Sequence, residues 1–140
     1  MSDTIPPRSD LNYIRATVRE YGSLIGMPNA SIFATPQGDG SPYIEIGDAY
    51  RFIVEERGVE LECRETKDLD ELLYWLFDGI TFSIASDYEL RHRQASEDSR
   101  RQLFAEQEAL LGRIRAKWRD RKRVEHQHVL DRYPFDDTSR

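Results

Sequence analysis

Between residues 11 and 25 the apolar positions Leu11, Ile14, Val18, Tyr21 and Ile25 recur three and four apart, the single stripe of an amphipathic helix. Ser9 or Asp10 can cap that helix, because a short oxygen-bearing side chain satisfies the orphan N–H groups of a first turn. Gly26 and Pro28 stop it. The period then falls to two. After a loop with Pro36, Gly38, Gly40 and Pro42, Ile44 and Ile46 alternate with Glu45. Beyond Gly47-Asp48, Tyr50, Phe52 and Val54 alternate with Arg51, Ile53 and Glu55; beyond Arg57-Gly58, Val59, Leu61 and Cys63 alternate with Glu60, Glu62 and Arg64. This predicts an antiparallel meander with an apolar inner face and a charged outer one. A short strand at 31–34 is expected at its edge. The outer face would carry Glu45, Glu55, Glu60 and Glu62, relieved by Arg51 and Arg64.

The helical period returns after Asp68-x-x-Glu71, a capping-box-like start, and a long helix is expected over 69–90, bent at Gly79. Its apolar residues, from Leu69 to Tyr88, occupy more than one stripe, as in a central helix with the sheet on one side and helices on the other. A third helix follows Ser96, with Leu103, Phe104, Leu110, Leu111 and Ile114 on one face, and Gly112 marks its break. A fourth covers 116–132, bearing Trp118, Val124, Val129 and Leu130, and Pro134 ends it. The fold class is therefore α+β: a small antiparallel β-meander packed against a long central helix, with an N-terminal helix and two C-terminal helices. A length of 140 residues fits one domain over 1–140, with 1–8 and 136–140 as loose ends.

Charge changes the picture more by its distribution than by its total of −6. Residues 1–66 hold 6 Lys+Arg against 11 Asp+Glu, and residues 67–140 hold 14 against 15. The stretch 39–65 alone has eight acids and three arginines, which accounts for the whole deficit of the first half. Nucleic-acid binding usually shows a basic footprint, so the total argues against it. The single cysteine, Cys63, excludes an internal disulfide framework and fits a reducing compartment. The segment Met1-Ser-Asp-Thr-Ile-Pro-Pro-Arg8 has no apolar stretch of a secretory signal, and no apolar run approaches the roughly 20 residues of a bilayer span. The expected location is cytoplasmic, with no membrane association.

Candidate chemistry is sparse. The glycines at 38 and 40 lack the helix and lysine of a phosphate loop, and no G-x-S-x-G elbow is present. Cys63 falls on the expected inner face, where a lone cysteine behaves as a small hydrophobe. Two Glu-x-x-His steps, Glu89 to His92 and Glu125 to His128, have the spacing found in di-iron bundles. Their neighbours are arginines and lysines, and the two further inward glutamates are not evident, Glu71 and Glu108 lacking a matching context. Surface helix residues are the expectation, with neither metal nor cofactor; a metal-binding helical bundle is the alternative. His126 and His128, two apart, point to different faces. The basic run Arg113, Arg115, Lys117, Arg119, Arg121, Lys122 and Arg123 spreads around its helix, so a solvated helix paired to nearby acids is expected. A nucleic-acid-associated regulatory protein using 113–123 is the other alternative. The acidic sheet face remains. It is either a wet face whose charges discourage edge aggregation or a docking surface for a basic partner, and the residues alone leave both open. As a docking surface it would comprise Tyr43 and Ile53 as apolar contacts among Glu45, Glu55, Glu60 and Glu62.

One run of residues carries a family resemblance. Asp68-Leu-Asp-Glu-Leu-Leu-Tyr-Trp-Leu-Phe77, Thr81-Phe82, Tyr88-Glu-Leu-Arg-His-Arg93 and Asp98-Ser-Arg-Arg101, with Phe104, Gln107, Trp118 and Tyr133-Pro-Phe-Asp-Asp137, resemble the immunity protein 63 family of bacterial polymorphic-toxin systems. The resemblance covers about 43–137. It implies a small non-enzymatic α+β protein that binds and neutralises a cognate toxin domain inside the producing cell. The polar residues of these motifs, Asp70, Glu71, Tyr88, Glu89, His92, Arg93, Asp98, Arg100 and Arg101, are expected to form an internal network that fixes helix register rather than a binding site.

Overall fold

Asp10 decides where the first helix, α1 (Leu11–Ser23), begins: its carboxylate accepts a hydrogen bond from the Tyr13 N–H at 2.8 Å. A computed structural model describes residues 10–139 of the chain; the expected loose end at 1–8 lies outside them. The elements that follow are β1 (Asp39–Ile46), β2 (Tyr50–Glu56), β3 (Val59–Thr66), α2 (Leu69–Arg91), α3 (Ser99–Ile114), α4 (Ala116–Arg132) and a 3-10 turn at Asp137–Ser139. The α+β class, the antiparallel meander, the N-terminal helix, the long helix and the two C-terminal helices are thus as the sequence predicts. Two compact units divide the chain, one up to Leu73 and one from Tyr74 onward.

In the first unit, Ile14 and Val18 of the α1 stripe are fully buried, with Ile25 just beyond the helix. Gly22 permits the turn that follows, because a Cβ there would meet the Met27 carbonyl oxygen at 2.4 Å and the Ala30 Cβ at 2.7 Å. The sheet order is β1-β2-β3, both pairs antiparallel. Phe33 forms an isolated parallel bridge to Tyr43 at the outer edge of β1, so the short strand expected at 31–34 is reduced to one bridging residue. Ile44, Tyr50 and Phe52 are buried, as expected of the inner face.

β3 departs from expectation. Arg57 and Gly58, both with positive φ, make a two-residue hairpin that sets Val59 opposite Glu56. An unbroken ladder would then put Leu61 opposite Val54 and Cys63 opposite Phe52. A β-bulge intervenes instead: Glu60 faces Glu55, Glu62 faces Val54 and Arg64 faces Phe52. One extra residue reverses the faces of everything after it. Cys63 is therefore exposed rather than a buried hydrophobe.

In the second unit the packing centre is Trp118 of α4, edge-on to Tyr74 at 5.8 Å and stacked on Phe77 at 6.1 Å. Leu110 and Leu111 of α3 are also buried. α2 passes Gly79 as continuous helix, and α3 starts later than expected, at Ser99, because the Asp98 carboxylate caps it through the Arg100 N–H. The break falls at Arg115, whose backbone is extended, and not at Gly112. Gly112 has another use: a Cβ there would stand 3.2 Å from the Arg119 side chain. Val124 and Val129 are exposed. Residues 136–138, expected among the loose ends, are anchored: the Asp136 N–H donates to Asp98 and the Asp137 carboxylate accepts from the Asp98 N–H and Arg101.

Candidate partner-binding surface

Register decides which acids meet. Tyr43 pairs with Ile53 and Ile53 with Cys63, and the adjoining row is Glu45–Arg51–Glu65. Residues two apart on a strand share a face, so both rows lie on one side of the sheet. Glu55 and Glu60, opposite each other, continue it, and the Tyr43 hydroxyl donates to Glu55 at 3.2 Å. Burial, then Glu55, Glu45 and Glu60, raise the Tyr43 pKa above its ordinary value. Five of the six expected contact residues, Tyr43, Glu45, Ile53, Glu55 and Glu60, are thereby gathered on one face. Glu62 is turned to the other, where it pairs with Arg64, whose guanidinium lies 5.2 Å from the centre of the Phe52 ring.

Exposure then divides the five. Tyr43 and Ile53 are only 7% and 2% exposed, so they serve as core rather than as apolar contacts for a partner. Alternation could place them on the same face as the acids but could not say that the face is covered there. Glu45 and Glu60 are exposed and Glu55 is half-buried. Arg51 bridges Glu45 at 3.7 Å and Glu65 at 4.0 Å, and its guanidinium also reaches the Cys63 sulfur at 3.2 Å. Val59 and Leu61, expected on the apolar inner face, are instead 60% and 59% exposed. The bulge that frees Leu61 has no signal in the residue types.

The second unit uses its charges differently. Lys122, expected on a solvated face, is buried, with its ammonium 2.7 Å from both Asp78 and Glu125. The Tyr74 hydroxyl donates to Glu125 at 2.9 Å, and burial followed by that carboxylate pushes the phenol pKa strongly upward. Burial opposes ionisation of Glu125, but the bonds from Lys122 and Tyr74 outweigh it and its pKa falls. Gln107 donates to Asp78 and Thr81, which leaves its oxygen facing the buried His126, and the other ring nitrogen of His126 meets Glu108 at 2.7 Å. Burial lowers the His126 pKa, with Glu108 pulling the other way. This buried histidine network was not evident from spacing, since Gln107, Glu108 and His126 come from two helices.

Of the motif residues, Tyr88, Glu89, His92, Arg93, Asp98, Arg100 and Arg101 are paired within the chain. Glu89 binds Arg93 at 2.7 Å, His92 meets the Tyr88 carbonyl at 2.9 Å, and Arg100 joins the Asp98 carboxylate to the carbonyls of Tyr133 and Pro134. The Arg100 guanidinium holds Asp98 well below the usual carboxylate range. Of the two Glu-x-x-His steps, then, Glu89 is engaged by Arg93 and Glu125 by Lys122 and Tyr74. Among the described residues no group of three or more His, Cys, Asp or Glu is placed to hold a metal ion. Along the basic run Arg119 meets Asp120, Arg121 meets Glu125 and Arg123 meets Glu108. Among the described residues no helix is long and apolar enough to cross a membrane.

Fold and surface together define an α+β protein whose helices use their charges on one another while its sheet keeps a surplus of acid facing outward. The family model described as Immunity protein 63 matches residues 47–128, more than half of the chain, and the chain belongs to that family. No curated protein and no solved structure matches it.

Proposed function

We propose that this chain protects its producing cell, from the cytoplasm, by binding a cognate toxin domain in a stoichiometric complex, acting by occupancy rather than turnover. Membership of an immunity protein family supports the toxin as partner. The observation that carries the binding surface is the acidic row of Glu45, Glu55 and Glu60 on one sheet face. Within 39–65 eight acids face only three arginines, so the surplus has no counter-charge in its own segment. Complementary charge raises the rate of encounter and penalises wrong partners, so this surface suits a basic toxin domain and repels nucleic acid and anionic membranes. Occlusion of an active site calls for a standard interface of about 1,200–2,000 Å² with a few central anchors.

The test is co-expression with the toxin candidate encoded beside this chain. Growth should be rescued and a one-to-one complex recovered by pull-down. A Glu55→Lys/Glu60→Lys variant that keeps the wild-type circular dichroism should associate at least tenfold more slowly at low salt. Full-speed association by that folded variant would move the interface elsewhere. Failure of the wild-type chain to bind or rescue would overturn the function itself.

A further inference from the structure

Resting on that toxin-binding reading, we propose that β3 is a docking edge, and that an extended, basic segment of the toxin domain adds to it as a fourth, backbone-paired strand. The hydrogen-bond pattern of the sheet gives the polarity. The Ile44 N–H points away from β2, donating to the Phe33 carbonyl at 3.0 Å. In an antiparallel ladder successive residues turn their N–H and C=O to alternate sides. Tyr43 therefore points to β2, its partner Ile53 points back to β1, and Phe52 points to β3. Arg64, opposite Phe52, is used within the sheet, and Cys63 and Glu65 turn their N–H and C=O outward. Since β3 ends the strand order among the described residues, these groups form the row that a further strand reads.

Side chains along the edge select the occupant. Val59 and Leu61 are exposed and supply apolar contact next to the outward backbone groups. Around them stand Glu56, Glu60 and Glu65, all exposed, with Glu55 and Glu62 half-buried. β3 carries Glu60, Glu62 and Glu65 against Arg64 alone, so a second copy brings an edge of the same net sign to it. A strand carrying Lys or Arg at alternate positions meets the same row favourably. The net charge thus disfavours another copy of this chain while admitting a partner of opposite sign.

Amide hydrogen exchange on the full-length chain tests this, alone and saturated with the toxin candidate encoded beside it. In the free chain the Cys63 and Glu65 amides should exchange freely while that of Arg64 is protected. In the complex Cys63 and Glu65 should slow by at least tenfold. A Cys63→Pro variant, which removes one outward donor, should weaken binding at least tenfold; the exchange measurement on the wild-type chain stands whether or not that variant folds. One-to-one binding with Cys63 and Glu65 still exchanging freely would overturn strand addition and leave the immunity function intact. Absence of any complex would overturn both. Concentration-dependent protection of the same amides in the free chain, with a dimer by sedimentation, would give the edge to a second copy and overturn the proposal.

Discussion

The sheet of the first unit and the helices of the second contain charged residues at similar density but use them in opposite ways. In the helices cations and anions are nearly balanced, and the structure pairs them: Lys122 with Asp78 and Glu125, Arg93 with Glu89, Arg100 with Asp98, Arg101 with Asp137. Several of these groups are buried, where an uncompensated charge would be costly, and Lys122 with Asp78 joins α4 to α2. In the sheet the acids outnumber the bases, and Arg51 is shared between Glu45 and Glu65. Glu45, Glu60 and Glu65 lie at the surface. The same residue types therefore hold the helical unit together and leave the sheet open.

The comparison can be broken first at the packing centre of the helices. Trp118→Ala should cost about 3–5 kcal/mol in chemical denaturation, because a fully buried aromatic leaves a cavity between Tyr74 and Phe77. Gly22→Ala, the corresponding test in the first unit, should cost about 2 kcal/mol, since its Cβ runs into backbone and not into a flexible side chain. Lys122→Met should lose about 1–2 kcal/mol: it leaves Asp78 and Glu125 facing each other, both a third or more exposed and so partly screened by water.

Asp98→Asn sharpens the point with pH. The folded pKa of Asp98 is depressed, so its ionised form contributes stability above the unfolded value of about 3.9 and loses it as pH falls below that. Asparagine still caps a helix, so the variant should be about 1 kcal/mol less stable at pH 7. Urea midpoints should converge with wild type as pH drops from about 5 towards 3. A difference that persists unchanged at pH 3 would mean the carboxylate's charge is not what the site uses. The smallest stability effect belongs to the sheet. Glu60→Lys alone should shift stability by under about 0.5 kcal/mol, as an exposed surface change does, while slowing association with the toxin; Glu55→Lys also removes the acceptor of the Tyr43 hydroxyl and should cost about 1 kcal/mol. A large loss of stability there would show that the sheet's acids, like those of the helices, serve the fold.

Much of this was written in the periodicity. Spacings of three and four gave α1 and its buried stripe, alternation gave three strands, and Asp10 capped the helix it precedes. Those features depend on neighbours within a turn or two of chain, which residue types alone report. The motif of 68–101 likewise marked both the family and its internal ion pairs. What tertiary structure decided was which face is covered and where charge ends up. A single extra residue at Leu61 reversed the faces of Glu62, Cys63 and Arg64, and no propensity signals a bulge. Tyr43 and Ile53 lay on the face expected for partner contact, yet burial takes them out of reach of a partner. Lys122 read as part of a solvated charged helix, and it and His126 are buried because Asp78, Gln107 and Glu108 reach them from α2 and α3. Local pattern fixes the period and the candidate faces; only packing sets the dielectric around each group and thereby decides whether a charge holds the protein together or waits for a partner.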